Sequence, residues 1–355
     1  MTCNLLAVVL LLLADLAALI PPTTLRLPAF LAIGFEVLAY LNLFFALTWL
    51  FTHRKAWCLV SILALLLSTS QLRATFSMSS KIQESGSRSL RVLTYNTHLL
   101  QDHTPLDHND LISYVRESGA DIVCMQEYAV YRDAHYPTFQ SVKNALIDIY
   151  PYTYFDFAIH NRRLQFGLAV YSKYPLTNKT TIPIHTAGNG ANYCDVIVHN
   201  DTFRLFNNHL QSNALQTNAL QPSEIDSLRS LLNTSSSKLT NAYVARTEQV
   251  KTIKPIIDAS PYPVIVCGDF NDVPASYTYR HLSRGLKDAF LTTSLFRTGH
   301  TYVRASLIPW FRSSSFVPGV RIDYILTSPT FRVTDFRLDR VPYSDHYPVT
   351  ASLTW

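Results

Sequence analysis

Hydrophobic and polar positions are arranged in two different ways along this chain. Over residues 1–72 the apolar residues are nearly continuous, in stretches at roughly 5–20, 29–51 and 57–71. Pro21, Pro22 and Pro28 bracket the first connection, and His53-Arg54-Lys55 fills the second. The middle stretch is long enough for ~30 Å of hydrocarbon at about 1.5 Å per residue, and the outer two are near the short limit. The pattern predicts three transmembrane helices over 1–72. A signal peptide is the alternative for the first stretch, but it lacks a basic start and a small-x-small cleavage pattern before Pro21. Arg54 and Lys55 make the second connection the more basic, which places it in the cytoplasm and the rest of the chain on the extracytoplasmic side.

Residues 73–89, rich in Ser, read as a linker leaving the membrane, and 90–355 read as the catalytic domain. Short β-type runs recur there at 90–96, 122–126, 168–172, 196–199, 203–208, 264–267, 323–326 and 349–353, with helical patterns near 107–118, 139–149 and 242–258. This alternation predicts an α/β or α+β domain with buried sheets. The polar segment 211–239 is longer than an ordinary connection and reads as an excursion beside the site.

Composition separates the two regions but does not choose a substrate. Residues 1–72 carry five charged side chains (Asp15, Arg26, Glu36, Arg54, Lys55), leaving 27 Lys and Arg against 23 Asp and Glu, a surplus of +4 too scattered to mark a nucleic-acid groove. The cysteines, Cys3, Cys58, Cys124, Cys194 and Cys267, show no Cys-x-x-Cys, so neither a zinc site nor a structural disulfide is expected.

Candidate chemistry lies just after the apolar runs. Asn96 follows Val92 to Tyr95, Glu127 follows Ile122 to Gln126, His209 follows Phe206-Asn207-Asn208, and Asp269 and Asn271 follow Val264 to Cys267. Phosphate-ester hydrolysis needs a hard cation, a group to orient or deprotonate water, and donors for the transition-state charge. Carboxylates, Asn and His at strand ends supply all three, although a single acidic residue there is more often a turn former.

Taken in order, Tyr95-Asn96-Thr97-His98, Gln126-Glu127, Gly167 to Ser172, Asn208-His209-Leu210, Gly268-Asp269-Phe270-Asn271, Arg321-Ile322-Asp323-Tyr324 and Ser344-Asp345-His346-Tyr347-Pro348 resemble the endonuclease/exonuclease/phosphatase (DNase I-like) family. The resemblance implies a four-layer α/β sandwich after the three membrane helices, with Mg²⁺ or Mn²⁺ as cofactor. The cluster's oxygen-dominated ligands point the same way. Motif by motif, it implies Glu127 as principal metal ligand, with Asn96 assisting and Asp345 completing the acidic floor. Asp269 would orient or deprotonate the attacking water, and Asn271 would contact a phosphate oxygen or position the nucleophile. His346 would contact the phosphate with Asp323 orienting its ring, and His209 would be a second donor or the leaving-group acid.

Adjacent residues of an extended strand point to opposite faces, so Asp345 is not expected to pair with His346. This chain departs from some relatives in carrying His98 where they have an acidic residue, which bears on a second metal ion. Arg162, Arg163, Arg246, Gln249 and Asp272 are further candidates near an anionic substrate or its loops. The implied partners are a phosphate-ester substrate, nucleic acid or lipid head group, and a membrane; no obligate protein partner is inferred. A non-catalytic binding or scaffolding module on the same fold is the alternative, one that would have lost some of Glu127, Asp269, Asn271, Asp323 and His346.

Overall fold

The computed structural model describes every residue except 78–87, 102–109, 134–135, 163, 185–187, 214–224, 293–297 and 303–318; side chains are also left aside at 101 and 225–236. Arg163, most of the 73–89 linker and much of the 211–239 excursion therefore lie outside the described residues. The chain divides into two compact units. One holds Met1–Thr75, Gln211–Lys251 and Asn271–Leu282, and the other holds Phe76–Leu210, Thr252–Phe270 and Ser283–Trp355.

The N-terminal helices are α1 (Thr2–Asp15), α2 (Leu27–Ile33), α3 (Phe35–Leu50), α4 (Trp57–Leu67) and α5 (Thr69–Thr75). Where three transmembrane helices were expected at about 5–20, 29–51 and 57–71, among the described residues no single helix is long and apolar enough to cross a membrane, and two bent helix pairs pass only when taken together. Instead α2 and α3 meet at 74° and α4 and α5 at 64°. Each break has a local cause. Gly34, a poor helix former, joins α2 to α3 at φ −90° and ψ 8°. At Ser68 the hydroxyl lies 2.9 Å from the Ala64 carbonyl, a back-bond that bends helices.

What these helices bury is unusual. Small and polar residues face inward: Ala7, Ala14, Ala39, Asn42, Ser61 and Ala64 are all under 5 % exposed. Asn42 Nδ2 donates to the Ala7 carbonyl at 3.0 Å, and Ser61 Oγ donates to Asn4 Oδ1 at 2.6 Å. Most large side chains face outward, with Leu6, Val37, Phe44, Leu63 and Leu66 more than half exposed, while Leu11 and Phe35 are buried. Of the exposed large hydrophobics among the described residues, only Ile147, Tyr152 and Tyr262 lie outside this region.

The other unit is a sandwich of two six-stranded mixed sheets. Its first strands and helices are β1 (Ser89–Asn96), the single-turn α6 (His98–Gln101), α7 (Asp110–Glu117), β2 (Ile122–Tyr131), α8 (Phe139–Leu146), β3 (Tyr152–His160) and β4 (Leu164–Ser172). There follow β5 (Leu176–Ile182), β6 (Gly190–Val198) and β7 (Asp201–His209), then helix α9 (Ile225–Asp258), which straddles the unit boundary, and β8 (Val264–Asp269). Helix α10 (Tyr277–Ser283), all but its last residue part of the first unit, precedes β9 (Lys287–Asp288), β10 (Asp323–Thr327), β11 (Arg332–Leu338) and β12 (Val349–Thr354). The sheet orders are β11-β12-β1-β2-β4-β3 and β5-β6-β7-β8-β10-β9.

Alternation along the central strands explains the layering. Val92, Ile122 and Cys124 join Cys194, Leu205, Cys267 and Ile325 in the core between the sheets. The intervening Leu93, Val123 and Met125 pack with Leu111 and Val115 of α7 and Val142 and Leu146 of α8. A strand buried on both faces reads as a continuous apolar run, as the 122–126 segment does. All five cysteines are free thiols. Helix α9 begins at Ile225, far earlier than the 242–258 pattern suggests, in a stretch rich in Ser, Thr and Asn, which are weak helix formers.

Candidate active site

Each sheet has one parallel strand pair near its centre, and the chemistry collects at the ends of those pairs. In the first sheet Asn96 pairs in register with Gln126. The pairing of β2 with β4 then shifts between Met125 and Tyr128. This bulge contains Glu127 at φ +50°, a left-handed conformation that costs a non-glycine residue ~1–3 kcal/mol and re-aims its side chain. In the second sheet Asp269 stands in register with His209 on the parallel β7 and with Asp323 on the antiparallel β10. Three polar side chains are thus aligned across three strands by main-chain pairing alone. Gly268, at φ +130°, lets β8 approach β7 this closely, since a Cβ there would stand 1.9 Å from the Asn208 carbonyl oxygen.

The polar groups converge on Asp269. Asn96 Nδ2 donates to Asp269 Oδ2 at 3.0 Å and to Glu127 Oε1 at 3.2 Å, and its own Oδ1 accepts from the His98 amide at 3.2 Å. His209 Nε2 stands 3.9 Å from Asp269 Oδ2 and 3.6 Å from Glu127 Oε1. On the opposite side His346 Nε2 is 3.7 Å from Asp269 Oδ2, while its Nδ1 donates to Asp323 Oδ2 at 2.9 Å. Asp345 faces His98, whose Nδ1 is 3.5 Å from Asp345 Oδ1 and 3.7 Å from Glu127 Oε2. Residues 344–346 are tied to β1 by Ser344 Oγ, which donates to the Asn96 carbonyl at 2.8 Å. Asn271, at φ +52°, lies two residues beyond Asp269 and is nearly buried.

Two histidines that flank one carboxylate are shifted in opposite directions. For His346 burial opposes the charged ring, but the fields of Asp323 and Asp269, with the Asp323 hydrogen bond, outweigh it and push the pKa up to about 10. For His209 burial prevails over the attraction of Glu127, and its pKa falls below the ordinary value. Burial opposes ionisation of Glu127 too, yet His98, His209, His346 and Asn96 together hold its carboxyl down at about 2.

The residues present suit a divalent cation. Asp269, Asp323 and His346 offer ligand atoms that all lie within 4.8 Å of one another, a possible metal site. Asp323 Oδ1 is buried without a partner among the described residues, so it keeps lone pairs available. Glu127 is partly exposed and ionised, and with Asp345 it adds hard oxygen donors of the kind Mg²⁺ and Mn²⁺ prefer.

The sequence gives no local signal for several neighbours. The Tyr302 ring packs on His346 at 4.9 Å between centroids. Thr301 Oγ1 accepts from the amides of Ile322 and Asp323, both at 3.1 Å, and so fixes the start of β10. Beneath the site Gln126 Nε2 donates to Asn207 Oδ1 at 2.7 Å, a buried bond between the sheets. His98, flagged by motif, lies in a run of left-handed residues at φ +42°, +63° and +54° (His98, Leu99, Leu100). Among the softer candidates, Arg162 is exposed, whereas Arg246, Gln249 and Asp272 are buried.

Residues 93–346 match the endonuclease/exonuclease/phosphatase family, and the chain belongs to it. Residues 1–75 match a family described as a domain of unknown function (DUF8431). No curated protein matches the sequence. Similar solved structures include an endonuclease/exonuclease/phosphatase from Beutenbergia cavernae (19% identity, TM-score 0.52, 75% of this chain and 72% of that one). A family protein from Leptotrichia buccalis has 16% identity and TM-score 0.53 over 75% of this chain and all of that one. D. rerio TDP2, described as complexed with single-strand DNA product, has 16% identity and TM-score 0.52 over 76% of this chain and 100% of that one. At these identities the likeness establishes the fold, a DNase I-like α/β sandwich.

Proposed function

We propose that this chain is a divalent-metal-dependent phosphoesterase that hydrolyses a phosphodiester or phosphomonoester by direct attack of water, held at a lipid bilayer by its N-terminal helices. The observation that carries the chemistry is the convergence of Asn96, His209 and His346 on Asp269, with Asp323 fixing the ring of His346. Asp269 orients and deprotonates the water. His346, held protonated, donates to the phosphate and stabilises the charge that develops there. His209, kept neutral by burial, is the second donor to a phosphate oxygen or to the leaving group. Asn271 contacts the phosphate from the loop after β8. Glu127, with Asp345 and Asn96, would hold Mg²⁺ or Mn²⁺; the Asp269, Asp323 and His346 group could ligate an ion only with the His346 ring deprotonated, so it takes the water and phosphate roles instead. A bound ion supplies neutralisation of the phosphoryl oxygens.

The family supports a phosphate-ester substrate; within that class the proposal is a nucleic acid or a lipid head group, with the DNA product held by TDP2 in favour of the former and a bilayer location in favour of the latter. The bilayer reading is supported by the reversed burial of the N-terminal helices. Helices in lipid gain nothing from hiding Leu and Phe from water, so small residues and buried hydrogen bonds join them while large apolar side chains face the acyl chains. Ala7, Asn42 and Ser61 inside, with Leu6, Phe44 and Leu66 outside, follow that rule. The basic Arg54-Lys55 connection would then be cytoplasmic and the catalytic domain extracytoplasmic.

The test uses the full chain purified in detergent and assayed with Mg²⁺ or Mn²⁺ on single-stranded and double-stranded DNA, RNA, phosphoinositides and sphingomyelin. Hydrolysis of one class, abolished by Asp269→Asn, is expected. Equal rates for wild type and Asp269→Asn on every substrate would sink the catalytic reading and favour a binding module. Extraction of the chain from membranes by alkaline carbonate would sink the bilayer reading.

A further inference from the structure

Arg246 is completely buried and is not part of the cluster around Asp269. Its guanidinium joins two segments distant in sequence. Nη1 donates to the Gln211 carbonyl at 2.7 Å and to Asn213 Oδ1 at 2.9 Å, and Nε donates to Asp272 Oδ2 at 3.3 Å. One turn further along α9, Gln249 Oε1 accepts from the Gln211 amide at 2.9 Å. Helix α9 therefore grips both main-chain groups of Gln211, two residues after His209, and the side chain of Asp272, the neighbour of Asn271. The same Asp272 Oδ2 accepts from Thr278 Oγ1 at 2.7 Å, and its Oδ1 accepts from the Val273 amide at 3.1 Å. A rigid fork with several donors suits this task, and Lys could not reproduce it.

The guanidinium is itself seated from behind. It lies over the ring of Tyr243 at 4.7 Å. That ring meets Phe30 of α2 edge-on at 5.6 Å, in a small cluster with Ala29, Ile33 and Leu239. A continuous line of contacts thus runs from an N-terminal helix through Tyr243 and Arg246 to the residue beside Asn271.

We propose that Arg246 is a positioning residue for Asn271, and that α2 sets its placement through Tyr243, so that the seating of the N-terminal helices controls the catalytic loop. The kinetic part of this inference rests on the reading of Asn271 as a catalytic residue. Asn271 itself sits at φ +52°, in the left-handed region that Asn tolerates better than most residues, a conformation its loop has to specify. A displacement of about 1 Å in such a group costs on the order of a hundredfold in rate.

The experiment compares the full-length chain with Arg246→Lys, Tyr243→Leu and Tyr243→Phe by hydrogen exchange and by kinetics. Tyr243→Phe keeps the ring under the guanidinium and loses a hydroxyl that has no partner among the described residues. Exchange at the amides of Gln211 and Val273 is expected to accelerate about tenfold or more in Arg246→Lys and Tyr243→Leu, but not in Tyr243→Phe, with Val266 of β8 unchanged. In the same two variants kcat should fall about tenfold to a hundredfold at constant KM. In an Asn271→Ala background, Arg246→Lys should then cost nothing more, because the group it positions is gone. Unchanged exchange at Gln211 and Val273 would overturn the proposal, as would the same fold loss in both backgrounds. A wild-type chain inactive on every substrate refutes the phosphoesterase reading instead, and the exchange data still judge the clamp.

Discussion

His346 donates through Nδ1 to Asp323 at 2.9 Å, so the imidazole presents Nε2 toward Asp269, 3.7 Å away. The two acids differ in position by one strand: Asp323 on β10 is the register partner of Asp269 on β8. One therefore orients the ring and the other faces its reactive edge. Replacing the orienting carboxylate by an amide leaves the shape intact but removes the negative charge and sets an NH2 donor where only acceptors stood, which favours the wrong tautomer of the ring. Asp323→Asn should lower kcat by about 10²–10⁴ with little change in fold, measured against wild type at saturating substrate.

The charge state of this pair should be visible in stability against pH. Although burial disfavours its charge, His346 is held up at about 10, chiefly by Asp323 and Asp269, against an ordinary value of about 6.5. A raised pKa stabilises the fold fully below about pH 6.5, and that contribution is lost as the pH climbs through about 10. Glu127, at about 2, behaves in the opposite sense: its contribution is present above about pH 4.3 and disappears as the pH falls toward 2. Thermal melting across pH should show both limbs, with the alkaline one flattened in His346→Gln and the acidic one in Glu127→Gln. An alkaline limb unchanged in His346→Gln would contradict the assignment.

Cation binding gives a readout independent of turnover. An ion that binds only the folded chain stabilises it by mass action, about 2.7 kcal/mol at a hundred times its dissociation constant. Mg²⁺ or Mn²⁺ added to chelator-treated protein should raise Tm, and Glu127→Gln should abolish most of the increase. An equal shift in both proteins would remove Glu127 from the ligand set.

Arg321, beside Asp323 in sequence, is expected to matter for folding instead of chemistry. It is buried against Asp288, which accepts from its Nη1 at 2.6 Å, and lies between the rings of Phe290 and Tyr324 at 4.6 and 4.8 Å. Removing one partner leaves the other charge buried and uncompensated, so Arg321→Ala should cost about 3–5 kcal/mol in urea denaturation. A loss under about 1 kcal/mol would show that Asp288 finds another partner or water.

Apolar runs that end in Asn, Glu, His or Asp were legible in the sequence because buried strands demand continuous hydrophobicity and their ends can carry polar groups. Those runs located most of the central strands and Asn96, Glu127, His209, Asp269 and Asn271, whereas His98, Asp323, Asp345 and His346 were read from their motifs. The strands β3, β5, β9 and β11 were not read: β5 carries a run of exposed polar residues, β3 is only partly buried along its length, and β9 is two residues long. The N-terminal apolar stretches were visible as composition, whereas the bends at Gly34 and Ser68, and the choice of which residues face inward, were not.

By itself the sequence determined the ordered set of chemical groups, because side-chain identity and spacing along a strand are local properties. Only the tertiary structure decided which groups meet. Strand register set Asp269 between His209 and Asp323, the bulge turned Glu127 toward Asn96, and the buried fields of neighbouring carboxylates separated the two histidines. Arg246 shows the same division: its charge is written in the chain, but its hold on Gln211 and Asp272 exists only once α9 has packed. The physical reason is that hydrogen bonds and Coulomb interactions act over a few ångströms in space, a distance that the spacing of residues along the chain does not record.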